Sequence, residues 1–279
     1  MHLKHLVPEL LSSKYSVYQL HPHAQQPRNK ETTMRTIILM LLALFLFVPS
    51  SLAQDSSDVL ALKPEVQTAK WAKSWWMPRH KQKLEDMKKQ KEVDLLFIGD
   101  SITHGFENKG KIVWMKYYAP RNAFNIGFSG DRTEQVIWRI QNGAVDGISP
   151  KLAVIMIGTN NTGHRKDKPE HTAAGIKKII EELQTRLKTT KILLLAVFPR
   201  DEKPDGKFRV INDGVNKVIK GLANDKKGVF FLDIGDKFLD EKGNLPKSIM
   251  PDRLHPNEKG YEIWAKAMEP TIKKLMGES

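Results

Sequence analysis

The chain of 279 residues has no cysteine, so disulfides, thiolate metal sites and cysteine nucleophiles are out, and any covalent catalysis must use another group. Four short stretches carry residue types able to supply one. Ser101 follows Phe97-Ile98-Gly99-Asp100, just past a glycine turn. Asn125-Ile126-Gly127-Phe128-Ser129-Gly130-Asp131 and Ile157-Gly158-Thr159-Asn160-Asn161 end in glycines and amides. Asp252-Arg253-Leu254-His255-Pro256 sets an acid three residues before a histidine. A hydroxyl, an imidazole and a carboxylate are the parts of a nucleophilic hydrolase. Each also has a plainer reading on its own: Ser101 as a helix N-cap, Gly130 as a turn glycine, Asn160 as a partner for loop amides, His255 as a surface residue.

Function would require the fold to bring these stretches together. Apolar runs at Val93–Gly99, Ala123–Ile126, Leu152–Gly158, Ile192–Phe198 and Val229–Asp233 are continuous enough for strands buried on both faces. Helical periodicity lies between and after them, at Thr133–Gln141, Thr172–Lys188, Val210–Ala223 and Glu258–Met276. That alternation predicts an α/β fold: a single-domain three-layer α/β/α sandwich around a flavodoxin-like parallel sheet of about five strands. Ligands of such sheets sit beyond the carboxyl ends of the strands, where the first three chemical stretches fall. Residues 54–92 read as an N-terminal helical segment, with a charged helix over Trp71–Lys91 packing a Trp75-Trp76 pair on the outside, and 93–279 as the catalytic domain.

Ahead of these lies one strongly apolar stretch, Ile37–Val48, preceded by Arg35 and followed by Pro49-Ser50-Ser51-Leu52-Ala53. Twelve residues are too few to span ~30 Å of hydrocarbon as a helix. The pattern fits a signal peptide over 34–53, cleaved after Ala53, and implies a secreted or periplasmic protein with no integral membrane segment in its mature form. Residues 1–33, before Met34, read as a non-native or over-extended N-terminus. The net charge is +13, but the lysines are spread through helical patterns rather than interleaved with stacking aromatics, so no nucleic acid partner is expected.

The four stretches, in this order and at these distances, resemble the SGNH (GDSL) hydrolase superfamily, and the likeness runs from Val93 to about Leu275. It implies that Ser101 is the nucleophile, His255 the base that takes and returns its proton, and Asp252 the acid that orients the imidazole. It assigns the oxyanion hole to the backbone amides of Ser101 and Gly130 and the side-chain amide of Asn160. Asp100, adjacent to the serine, gets a supporting structural role, since neighbouring side chains point apart. Asp131, Trp138, Thr103 and His104 are candidates for substrate binding; Trp138 and Trp114 could line an acyl or sugar pocket, although large aromatics at such spacing are more often core.

Further stretches, Asn125–Ile140, Val154–Asn161 and Pro199-Arg200 with Lys203-Pro204, are similar to the catalytic subunits of intracellular platelet-activating-factor acetylhydrolases. The signal-peptide pattern departs from that cytosolic branch and shifts the expected substrate from phospholipid toward acetylated carbohydrate, leaving the chemistry unchanged. The reading is thus a secreted serine esterase for small acyl groups, acetyl first, needing no cofactor and no metal. Its partner is a small-molecule or oligosaccharide ester, and paired subunits in the resembling branch point to a homodimer. Lipid ester hydrolysis, acyl transfer and a non-catalytic carbohydrate-binding protein are the rivals. Two decoys fail: Gly105–Lys111 imitates a phosphate loop, but Ile112 replaces its Ser or Thr, and His164 with His171 lacks metal-ligand spacing.

Overall fold

The computed structural model describes residues 59–90 and 92–278; the expected extension and signal peptide lie outside them. After a 3₁₀ turn at Leu60–Leu62, the chain forms helix α1 (Trp76–Lys89), strand β1 (Leu95–Gly99), helices α2 (Ser101–His104) and α3 (Lys111–Tyr117), strand β2 (Ala123–Gly127), helix α4 (Thr133–Gln141), strand β3 (Leu152–Met156), helix α5 (Pro169–Arg186), strand β4 (Lys191–Leu195), helix α6 (Lys207–Ile219), strand β5 (Val229–Leu232) and helix α7 (Glu258–Met276). The five strands pair in the order β2-β1-β3-β4-β5, all parallel. This is the expected α/β fold.

Alternation along β1 divides the core in two. Leu96 and Ile98 point to one face, where they meet Val136 and Ile140 of α4, Ile176 and Leu183 of α5 and Ile219 of α6. Leu95 and Phe97 point to the other, against Val113 of α3 and Trp264, Met268 and Ile272 of α7. Both sides of the sheet are therefore covered, which is why its strands read as unbroken apolar runs. Among the described residues no helix is long and apolar enough to cross a membrane.

Two helix boundaries differ from the periodicity for local reasons. α5 starts at Pro169, because proline suits the first turn, where its missing N–H is no loss. α1 starts at Trp76 rather than Trp71, and this splits the tryptophan pair: Trp76 is buried, while Trp75 stays half-buried beside an exposed Trp71. The phosphate-loop look-alike becomes a 3₁₀ turn at Gly105–Glu107 and the approach to α3, with Gly110 pressed against Phe106 and Tyr261.

Candidate active site

β1 ends in a turn too tight for side chains. A methyl group on Gly99 would collide with the Thr103 side chain and the Met156 carbonyl, and one on Gly127, opposite it in register, would strike the start of the His104 backbone. The N-cap of α2 is Asp100, whose Oδ1 accepts from the Ile102 amide at 3.0 Å. Because Asp100 takes that duty, the Ser101 hydroxyl is free. It lies 2.8 Å from Nε2 of His255. Tyr261 of α7 donates to the Ile102 carbonyl at 2.7 Å and pins the turn from below.

His255 arrives on a loop held just as firmly. Arg253 adopts a left-handed backbone, with φ of 60°, costly for a residue with a side chain. Its guanidinium bonds the Leu245 carbonyl and pairs with Glu202 at 2.7 Å, while its carbonyl accepts from the Asp201 amide. The turn lets Asp252 serve its own loop and the imidazole together. Oδ1 accepts from the backbone of Leu254 and His255 at 3.1 and 2.7 Å, and Oδ2 lies 2.6 Å from His255 Nδ1. Partial burial pushes the Asp252 carboxyl up, but the bonds from the His255 backbone and ring and from Leu254 outweigh it, so its pKa is below the ordinary value. A proton on Nδ1, donated to that carboxylate, leaves Nε2 as the acceptor facing the serine.

On the other side of Ser101, the loops after β2 and β3 meet. Gly130 has φ of +76°, and a methyl group there would run into the Trp71 ring; glycine is required on both counts. Gln67 donates to the Gly130 carbonyl at 3.2 Å. Asn160 Nδ2 donates to the Asp131 carbonyl at 2.9 Å, fixing the amide plane and leaving its second N–H available. Among the described residues, the backbone amides of Ser101 and Gly130 donate to no carbonyl or side chain. Three uncommitted N–H groups thus stand at the carboxyl ends of the adjacent strands β2, β1 and β3. Arg200, beyond β4, donates to the Thr159 carbonyl at 3.1 Å and steadies the Asn160 loop.

The structure brings Ser101, His255 and Asp252 into one hydrogen-bonded chain, with Gly130 and Asn160 on the neighbouring strand ends, but turns most of the proposed substrate-binding side chains elsewhere. Asp131 is completely buried, accepting from Trp76 Nε1 at 2.6 Å and Arg139 Nε at 2.9 Å. Burial pushes its carboxyl up to about 6 against the pull of Arg139. It therefore cannot touch substrate, and what it offers the site is its carbonyl. Thr103 is sealed between the two glycine turns. Trp138 packs against Trp76 and His80, with ring centroids 5.5 and 5.2 Å apart. His104 is half-buried, its Nδ1 accepting from the Ser129 amide at 3.3 Å. Burial, helped by Arg79, pushes its pKa down to about 4, so the ring is neutral. Asp100 is likewise interior: burial, reinforced by Asp131, raises its carboxyl to about 7 despite the Ile102 bond and nearby Arg200.

Gln67, Trp71 and Trp76, which wrap the Gly130 loop, were not singled out from the sequence as site residues. Their one signal was the local density of tryptophan, Trp71-x-x-x-Trp75-Trp76.

Comparison with known proteins bears on the family and the fold. Residues 97–263 match the GDSL-like lipase/acylhydrolase family. Human platelet-activating factor acetylhydrolase IB subunit alpha2 is 34% identical over 204 residues, which are 73% of this chain and 86% of that protein. Solved structures with the same fold include a GDSL-like lipase from Bacteroides thetaiotaomicron (TM-score 0.55, 23% identity, 71% of this chain and 97% of that one) and an acetylxylan esterase from Geobacillus stearothermophilus (0.53, 23%, 66% and 94%).

Proposed function

The chain belongs to the GDSL-like lipase/acylhydrolase family and is a serine ester hydrolase, and from that premise we propose that Ser101, His255 and Asp252 carry the reaction on small acyl esters of carbohydrate. The observation that carries the assignment is the unbroken chain Ser101 Oγ, His255 Nε2, His255 Nδ1, Asp252 Oδ2, with links of 2.8 and 2.6 Å.

As the Ser101 oxygen attacks the acyl carbon, His255 Nε2 takes its proton, and the Asp252 carboxylate stabilises the imidazolium that results. The negative charge forming on the carbonyl oxygen is met by the amides of Ser101 and Gly130 and the free N–H of Asn160, already oriented before substrate arrives. His255 then gives its proton to the leaving alcohol, and an acyl-serine remains. Water attacks this ester in a second round; its proton goes to His255, the carboxylic acid departs, and Ser101 recovers its hydrogen.

The acyl group is acetyl in this reading, supported by the acetylhydrolase relative, and the alcohol is a sugar hydroxyl, supported by the exported character of the 34–53 pattern. Release to the periplasm or the exterior goes with it. The 34% identity to a platelet-activating factor acetylhydrolase subunit favours a second reading, lipid ester hydrolysis. A panel of acetylated xylo-oligosaccharides against short-chain acetyl phospholipids separates them: the proposal expects turnover on the sugars, and exclusive phospholipid turnover overturns it.

A further inference from the structure

The most exposed large aromatic near the site is Trp71, 51% accessible to solvent, although tryptophan ordinarily buries its wide ring. It is not adrift. Its carbonyl accepts from Trp75 Nε1 at 3.0 Å, and the two indoles stack with centroids 6.1 Å apart. Trp75 continues to the His104 ring at 6.2 Å. One end of this row lies on the α-carbon of Gly130, the residue whose amide faces the forming oxyanion; the other ends one helical turn from Ser101.

The arm that presents the row is fastened independently of it. Gln67 bonds the Gly130 carbonyl, Glu65 the Glu134 carbonyl through its amide, and Trp76 the Asp131 carboxylate. The core anchor is Trp76, so burial does not account for Trp71. The arm also precedes residues 97–263, the stretch that matches the family.

Beyond Trp75 the surface changes character. A groove of about 580 Å³ is lined by Arg79, Gln82, Lys83, Asp86 and Glu107 as well as Trp75 and His104. Flat apolar rings followed by dense donors and acceptors suit a ligand with C–H faces and a rim of hydroxyls, whereas an acyl tail would be left among charges.

We infer that Trp71 and Trp75 form a stacking platform for the pyranose ring that bears the scissile ester, with further sugar extending into the groove past His104. The inference rests on the carbohydrate-ester reading above and adds the residues that select for it. Trp71 sets specificity; it holds the leaving alcohol and takes no part in the proton transfers.

The test is a ratio. Wild type, Trp71→Ala and Trp71→Phe are compared on acetylated xylobiose and on p-nitrophenyl acetate, which has no pyranose. In Trp71→Ala the kcat/KM ratio of sugar ester to aryl ester falls about tenfold, the size of one aromatic contact, mainly through the KM of the sugar; Trp71→Phe retains most of it. An unchanged ratio in both variants, including an equal fall on the two esters as Gly130 loses its support, overturns the platform. Wild type that cleaves the aryl ester but no acetylated sugar defeats the carbohydrate reading and the platform together, whereas failure of the platform alone shows only in the variants.

Discussion

Two carboxylates, each paired with a nitrogen base, sit at the same edge of the sheet and do opposite work. Asp131 and Arg139 are wholly buried, with 0% exposure on either side chain. The guanidinium also donates to the Ile126 carbonyl and lies 4.1 Å over the Phe128 ring. Asp252 and His255 are 55% and 34% exposed, and the imidazole keeps a nitrogen for Ser101. A pair sealed from water can only hold geometry, here the backbone carbonyl that aims Asn160. A pair that is half in solvent and has one open nitrogen can pass a proton on. The residues that do chemistry are thus told from those that support it by access and an open nitrogen, not by residue type.

The contrast can be broken from either side. Ser101→Ala or His255→Ala each removes kcat by on the order of 10⁶-fold, and the double variant loses little more, because the two act as a unit; turnover of p-nitrophenyl acetate reads this directly. Asp252→Asn costs about 10⁴-fold in kcat through the wrong imidazole tautomer, with a stability change within about 1 kcal/mol because the pair is exposed. Near-normal activity in this variant would remove Asp252 as the orienting acid.

Asp131→Ala inverts that pattern. It strands the Arg139 charge in the interior and lowers unfolding free energy in urea by about 3–5 kcal/mol. If Asp131→Ala were as stable as wild type, the buried pair would not be the support described here. Asn160→Ala falls between the two regions, losing roughly 10² to 10³-fold in kcat as one oxyanion donor disappears.

A dependence on pH belongs to Asp100. Its folded pKa, about 7, lies above the ordinary carboxyl value of 3.8, so the folded state binds the proton more tightly. Its contribution to stability is complete below pH ~4 and is lost as pH rises through ~7. Thermal melts of wild type between these limits should decline with pH more steeply than those of Asp100→Asn; parallel curves would show that the buried carboxyl does not titrate there.

Much of this was legible in the sequence, for identifiable reasons. α4 and α7 begin and end where their periodicity does; for α7 the Asn257 side chain caps the start and Gly277, at φ 75°, stops the end. Strand ends, where a parallel sheet presents side chains and amides, drew attention to Ser101, Gly130 and Asn160, and the acid three residues earlier to His255, but each had a plainer reading alone and their roles came from the family resemblance. Asp131 was misassigned because its fate depends on Trp76, 55 positions earlier, and on Arg139 turning inward; no local pattern encodes that. Thr103 went the same way, held inward between Gly99 and Gly127, whereas His104 is only half-buried and lines the groove beside Trp75. The arm around Trp71 was unreadable as part of the site, since its partners lie across the fold.

Turnover depends on His255 activating the hydroxyl of Ser101. Intact-mass and peptide mapping after exposure to a serine-directed fluorophosphonate tests it most directly. One adduct is expected, on Ser101 and lost in His255→Ala; no adduct on the wild-type protein, or an adduct on another residue that survives in Ser101→Ala, rules this activation out.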